Sequence, residues 1–556
     1  MLADPNKRIR WILLVFVLIF GAVALRSAFL ATVNAQELSQ RVDMNHVQEV
    51  DTPAHRGTIF DRDGNELAVG VEAKTVIANP NLITDPGKVA GLLAPVLKCD
   101  PGSLLQKLTG DPGSGFVYLA RKIDPATGDA VAQLAQQQHL GGIEVKAEEK
   151  RVYPQNQLAA QVLGYAGTDN TGLAGIELQE DSVLAGTPGR QRVVTAADGS
   201  QIETISLDEG VRGKDVWLTI DQSIQYEAEQ VLTDTVKKWS AKGAEAVVMN
   251  PRTGEIYAMA NVPTENANQF GDLTDAQRRN HTVVDTYEPG SVFKVVMAAA
   301  GLEEGVVKPG QTFYLPPTLE LGGRTIQDAE DRGPVDWDLS KILIHSSNVG
   351  AVTVGMRLGK DKLYDWIGRF GFRAPTGVDF PGEASGFMDP PGQWSGSTIG
   401  NVPIGQGVTV TALQMATAYA TVANGGVTVQ PHLVRRVGDQ DAPVNPGHRV
   451  ISEATAQQLD TYFTQVVEDG GAPLAKVDGY HVAGKTGTAQ KIDADGKYSN
   501  TNYIGSFVGY APAAEPQLLV MVMVDEPHPF GGGATVAAPA FQKIMEFSLQ
   551  KMRIAP

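Results

Sequence analysis

The hydrophobic pattern divides the chain into three stretches. Residues 11–25 carry no charge, Arg26 interrupts, and residues 27–33 are mostly apolar again. At 1.5 Å per residue the first run reaches only about 22 Å. Extension to residue 33 crosses a hydrocarbon core of about 30 Å if the Arg26 side chain bends toward the headgroups. Residues 37–48 are polar and helix-compatible, the pattern of a stalk. Asp63-Gly64 between apolar alternations predicts a tight hairpin turn. Residues 85–140 alternate helical stretches with Gly/Pro turns, 143–152 read as a strand, 158–164 as a short helix, 172–189 as loop and 192–208 as polar β structure. The pattern changes near Gly213. A strand over 216–220 precedes an amphipathic helix over 223–240, and strands over 243–249 and 254–260 flank an Asn250–Thr253 hairpin turn. Helices follow at 291–303 and 413–422, then strands at 503–511 and 517–524 and a terminal helix at 537–551. Strands and a helix at both ends of this region predict one sheet closed by both ends of the stretch. The expected organisation is a tail (1–10), a transmembrane anchor (11–33), a smaller domain (34–212) and an α+β domain (213–556).

Composition narrows the function classes. The 556 residues are 42% hydrophobic and 20% charged, enough for several cores and incompatible with global disorder. A duplex-binding protein needs a basic face, so a net charge of −17 argues against nucleic acid as a general partner. A single cysteine, Cys99, excludes an intramolecular disulfide and a multi-cysteine metal site, and is expected to be buried and inert. His55, His345 and His481 have no metal-ligand spacing and read as structural. Lys7, Arg8 and Arg10 before the apolar run place the N-terminus in the cytoplasm and the remainder outside. A cleaved signal peptide ending near Val33-Asn34-Ala35 is the rival reading, and it exports the same residues.

Three short motifs carry chemistry. In Ser291-Val292-Phe293-Lys294 a helix sets hydroxyl and amine on one face, and a desolvated, neutral lysine can take the serine proton. The spacing alone is weak, since 20 Ser and 23 Lys give about one such pair by chance. A second pair, Ser548/Lys551, reads as two polar residues on a solvated helix face. The other motifs are Ser346-Ser347-Asn348 and Lys485-Thr486-Gly487-Thr488. Serine acyl transfer needs a proton shuttle, a cation with hydroxyls for a substrate carboxylate, and backbone N–H groups for the oxyanion. Ser346 suits the shuttle, Lys485 with Thr486 and Thr488 suits the carboxylate, and Gly487 permits close backbone approach to the substrate.

Ser291-x-x-Lys294, Ser346-x-Asn348 and Lys485-Thr486-Gly487, in that order, resemble the penicillin-binding transpeptidases and serine β-lactamases. The longer strings at 287–294, 483–490, 56–68, 250–255 and 507–512 are similar to class B penicillin-binding proteins, over nearly the whole chain. The resemblance implies a membrane-anchored peptidoglycan D,D-transpeptidase with an irregular α/β pedestal and a β-lactamase-like domain, an antiparallel sheet flanked by helices. It implies Ser291 as acylated nucleophile, Lys294 as general base, Ser346 as proton relay, and Asn348 orienting Lys294 and the substrate amide. Lys485 completes the proton network, Thr486 and Thr488 hold the carboxylate, and the N–H groups of Ser291 and Thr488 form the oxyanion hole. No cofactor is implied. Expected partners are D-Ala-D-Ala stem peptides, β-lactam antibiotics, a polytopic glycosyltransferase of the SEDS type and other cell-division envelope proteins. Residues 71–81, Gly405-Gln406-Gly407 with Thr409 and Thr411, and Gly531-Gly532-Gly533 resemble the division (septal) branch more than the elongation branch.

Rival readings differ in class. Gly479 through Thr486 fits a phosphate-binding loop letter for letter, but that motif needs a helix beginning at the lysine, and Gly487 onward reads as strand and turn. A β-lactamase needs a deacylating carboxylate, and no Glu-x-x-Asn lies between Asn348 and Lys485. A D,D-carboxypeptidase and a catalytically silent scaffold stay open at this point.

Overall fold

The computed structural model describes residues 5–32, 47–111, 113–195, 201–493 and 496–556. The helix Pro5–Thr32 contains a 21-residue apolar segment, Ile9–Phe29, fully exposed along its length. At 1.5 Å per residue it measures about 31 Å, long enough to cross a membrane. Its helical hydrogen bonds run through Arg26, so the apolar run is not split there. Most of the expected stalk lies outside the described residues; its last two positions begin the strand Val47–Thr52.

The chain forms two compact units, neither contiguous in sequence. The first comprises Met1–His55, Glu72–Glu148 and Gly186–Arg212. Within it the strands Val47–Thr52, Gly189–Thr195 and Gln201–Asp208 make an antiparallel sheet. Three helices, Pro86–Leu97, Pro101–Thr109 and Pro125–Gln137, each start at an Asp-Pro step. Proline suits the first helical position, where its missing N–H is not needed. Asp85 and Asp100 cap their helices by accepting from the N–H of Lys88 and Ser103. Leu93, Leu104, Leu108, Leu119 and Val131 close the core of this unit. Cys99 is exposed, contrary to the sequence expectation. It sits between the left-handed Lys98 and the Asp100 cap, in a turn too short to turn its side chain inward.

The second unit comprises Arg56–Val71, Glu149–Ala185 and Gly213–Pro556. The single cut expected at 212/213 is thus one of several junctions. Its five-stranded antiparallel sheet has the order Ile256–Val262, Gly243–Met249, Leu518–Asp525, Tyr498–Ala511, Ala483–Ile492. Strands from both ends of the stretch meet as the pattern predicts. Period-two alternation sends Val520, Val522 and Val524 to one face and Leu519, Met521 and Met523 to the other. The first face packs on the helices Gln222–Trp239 and Gly533–Lys551, the second on Lys294–Glu303, Ala412–Ala423 and Glu453–Glu468. Both faces are covered, so these strands read as continuous apolar runs.

Residues 172–189 are not simply loop. They include the helices Gly175–Gln179 and Asp181–Leu184. Glu177 there is fully buried, and its carboxylate takes Arg56 at 2.7 Å and Arg151 at 2.6 Å. Breaking one partner of such a buried network strands the others in low dielectric. The Asp63-Gly64 turn forms as expected, with Gly64 at φ 91° and Asp61 accepting from the N–H of Asp63 and Asn65.

Candidate active site

The expected 291–303 helix begins differently from a regular α-helix. Residues Gly290–Phe293 form a 3₁₀ turn, and the α-helix proper is Lys294–Glu303. Gly290 has φ 61°, and a Cβ on it would lie 2.7 Å from the Thr488 carbonyl oxygen. Glycine therefore lets the turn press against the edge strand Ala483–Ile492. Ser291 is half-buried on this turn, while Lys294 is fully buried. The Lys294 ammonium position is fixed by three acceptors: Ser346 O at 2.5 Å, Asn348 Oδ1 at 3.0 Å and Ser346 Oγ at 3.4 Å.

Ser346 and Asn348 lie where the chain enters the helix Asn348–Leu358. Ser346 adopts φ 52°, a left-handed conformation uncommon outside glycine, which turns its carbonyl toward Lys294. Ser347 is the N-cap, its hydroxyl accepting from Gly350 N–H at 2.9 Å. Lys485, on the edge strand, donates to Ser346 Oγ at 3.0 Å and Thr486 Oγ1 at 3.2 Å. Two lysines from different elements thus flank one serine hydroxyl.

Their electrostatics follow from burial. Desolvation, reinforced by the charge of Lys485, holds Lys294 well below the usual lysine range, with Asp328 pulling the other way. Burial brings Lys485 down to about 7. An amine in this state is a base near neutral pH, which an exposed lysine is not.

Gly487 has a structural requirement of its own. A Cβ there would lie 2.4 Å from Ser506 Oγ and 2.9 Å from Pro289 O, so the close approach it permits is to the neighbouring strand and the Ser291 turn. Thr488 is exposed, and its Oγ1 accepts from Gly533 N–H at 3.1 Å, leaving its own O–H free to donate outward. The structure therefore brings Ser291, Lys294, Ser346, Asn348, Lys485, Thr486, Gly487 and Thr488 together. Lys485 lies inside a strand, not at a helix start, which overturns the phosphate-loop reading. His345 stacks on Trp337 with centroids 4.4 Å apart, and His481 pairs with Glu468.

Sequence reasoning missed two residues here. Asp328 accepts from the Ser347 hydroxyl and from Val349 N–H at 3.0 Å. Glu288, three residues before Ser291, accepts from Gly407 N–H at 2.7 Å and Tyr498 Oη at 3.2 Å. Its position beside Ser291 was the one available signal; Asp328 offered none.

Two family models cover this chain: the penicillin binding protein transpeptidase domain over residues 244–546 and the penicillin-binding protein dimerisation domain over residues 51–218. The chain belongs to the penicillin-binding proteins. This penicillin-binding protein is 35% identical to penicillin-binding protein PbpB of Mycolicibacterium smegmatis, over 90% of this chain and 84% of that one. It is 32% identical to peptidoglycan D,D-transpeptidase FtsI of Escherichia coli, over 97% and 92%. Among solved structures, penicillin binding protein 3 of Mycobacterium tuberculosis complexed with aztreonam is 31% identical. It matches with a TM-score of 0.72 over 91% of this chain and 98% of that one. The α+β architecture, with its dimerisation and transpeptidase domains, agrees with these relatives.

Proposed function

We propose that this penicillin-binding protein is a peptidoglycan D,D-transpeptidase acting through a Ser291 acyl-enzyme. The observation that carries the reading is the convergence of two desolvated lysines on Ser346 Oγ, one of them, Lys294, opening the helix that follows the Ser291 turn. Neutral Lys294 takes the Ser291 proton, and Oγ attacks the carbonyl carbon of the D-Ala-D-Ala peptide bond. The N–H groups of Ser291 and Thr488 hold the oxyanion. The C–N bond breaks, and the departing D-Ala amine receives a proton through Ser346, between Lys294 and Lys485. The amine of a second stem peptide then attacks the ester, forming the cross-link and returning the proton to Ser291. Thr486 and Thr488 hydroxyls, with Lys485, engage the terminal carboxylate. A β-lactam follows the first step, but its leaving nitrogen stays tethered and blocks the acceptor amine.

The N-terminus lies in the cytoplasm, because Lys7, Arg8 and Arg10 precede the apolar segment, and the second unit works outside the plasma membrane. Resemblance to the division branch supports septal wall synthesis, with a SEDS-type glycosyltransferase and other division envelope proteins as partners; an elongation role is the alternative. Labelling with a fluorescent penicillin followed by peptide mass mapping tests the core reading: modification at Ser291 is expected, and modification elsewhere refutes it. A donor stem peptide supplied with an acceptor amine separates the two acyl-transfer outcomes. Cross-linked product is expected; release of D-Ala alone marks a carboxypeptidase.

A further inference from the structure

A cavity of about 480 Å³ lies within the second unit, between the helix Gln222–Trp239 and the turn leading into the helix Ala160–Leu163. The longer helix packs on the sheet face opposite to the one that carries Lys294–Glu303, so the cavity is separate from the acylation site. Gln222, Tyr226, Gln230 and Thr233 line it at helical spacing, which sets them on one helix face over about 17 Å. The turn adds Gln155 and Gln157. None of these four glutamine amides hydrogen-bonds to another side chain or backbone group among the described residues. Tyr226 is 56% exposed, a large ring left in a polar stripe. Glu229 lines the same cavity but is only 5% exposed. Its Oε1 accepts from Ala159 N–H at 2.8 Å and from Gln225 Nε2 at 2.7 Å. Its Oε2 takes neither bond, so a buried oxygen is left for an occupant. Burial raises this carboxyl to about 7, so near neutral pH it can donate as well as accept. No lysine, arginine or histidine lines the cavity, which argues against phosphate and other anions.

We propose that this cavity binds a neutral N-acetylhexosamine segment of the wall glycan strand, apart from the peptide chemistry at Ser291. A glutamine amide offers an acceptor and two donors, the pattern that acetamido and vicinal hydroxyl groups complete. Glu229, and Glu227 beside it, add acceptors for hydroxyls. The exposed Tyr226 ring supplies a flat apolar surface for the C–H face of a pyranose. The volume lies in the range of small-ligand sites, and a stripe along a helix suits a linear polymer. An amine would leave the ring and the amides unused and would need charge from a carboxylate that burial discharges. The identity of the polymer rests on the wall role proposed above; the sugar chemistry rests on the cavity alone. Holding the strand here keeps the enzyme on one glycan between successive cross-links.

The test titrates the full chain with tetra-N-acetylchitotetraose by isothermal calorimetry, with maltotetraose and putrescine as comparison probes. The acetylated sugar should bind, and the other two should bind at least about tenfold more weakly. Tyr226→Ala should weaken the acetylated sugar about tenfold, the loss of one stacking contact, while Tyr226→Phe retains it. Gln230→Ala should weaken it as well. Both side chains are exposed, so the fold should stand, as circular dichroism checks. No heat from the acetylated sugar overturns the proposal. So does equal binding of maltotetraose, binding of putrescine alone, or an affinity that neither Tyr226→Ala nor Gln230→Ala changes. Wild-type protein that a penicillin does not label at Ser291 sinks the transpeptidase reading instead, and the sugar titration still decides the cavity.

Discussion

Two Ser-x-x-Lys pairs occur in the catalytic unit, and only their surroundings differ. Ser291 and Lys294 stand at a 3₁₀-to-α junction, the hydroxyl half-open and the amine fully buried beside a second lysine. Ser548 and Lys551 stand in the last turns of the C-terminal helix. There the serine is fully buried and its hydroxyl donates to Ile544 O at 2.6 Å. Lys551 lies 3.5 Å from Asp63 and 3.6 Å from Asp221. The first pair leaves the serine partly exposed and buries the lysine; the second does the reverse. Nucleophilic chemistry needs the first arrangement, because the oxygen must reach a substrate and the amine must be able to lose its proton. Spacing supplies proximity, and burial decides which partner is reactive. The reading of Ser548 as solvent-facing is corrected, although its role remains structural.

The largest expected contrast is at the serines. Ser291→Ala should abolish covalent penicillin labelling with the fold intact, and Ser548→Ala should leave labelling unchanged, both read by intact-protein mass. Equal effects would erase the distinction. At the lysines, Lys294→Ala should slow acylation by about 10²–10⁴-fold with pre-acylation binding preserved, as loss of a general base does. Stopped-flow data showing weaker binding at an unchanged rate would make Lys294 a binding residue. Lys551→Ala should acylate like wild type and lose about 1 kcal/mol of stability in denaturant melts, since its pair with Asp63 is half-exposed and buried Asp221 keeps the N–H groups of Ser223 and Ile224.

A subtler effect sharpens the electrostatic half of the comparison. Lys485 titrates at about 7 in the folded free protein, well below an unfolded lysine. Its attraction for a ligand carboxylate is full below that pH and fades as pH rises through it. Pre-acylation affinity for a penicillin should therefore weaken from pH 6 to 8 more than affinity for its methyl ester; parallel curves would remove Lys485 from carboxylate binding. For stability the sign is opposite. The folded state binds this proton less tightly, so Lys485 favours unfolding at low pH, and stability should rise between about pH 7 and 10. The smallest effect belongs to Ser548→Ala, where loss of a helix back-bond should shift stability by about 1 kcal/mol or less.

What the sequence showed and what it hid follow one physical line. The eight motif residues stand out in the sequence because their spacing is local: Ser291 sits one turn from Lys294, and Lys485 to Thr488 share one strand. Alternation also revealed the strands, since period two survives burial on both faces. Hidden features depend on partners far along the chain. The helix holding Glu177 looks like loop because its stability comes from Arg56, 121 residues earlier. Asp328 looks like any loop aspartate until Ser347, 19 residues on, is folded against it. Cys99 was misjudged because cysteines are usually buried, while its own position is set by the turn between two capped helices.

The order of the five-stranded sheet also governs how the protein is made. The strand Leu518–Asp525 hydrogen-bonds on one side to Gly243–Met249 and on the other to Tyr498–Ala511. The middle of the sheet is therefore its last strand to be synthesised. At ribosomal speed the hairpin over 243–262 waits on the order of tens of seconds with an unpaired edge. Such an edge is a template for aggregation, so the nascent chain must be shielded until its closing segment arrives. A stop codon before residue 518 leaves two half-sheets with no strand to join them, and neither can assemble the site.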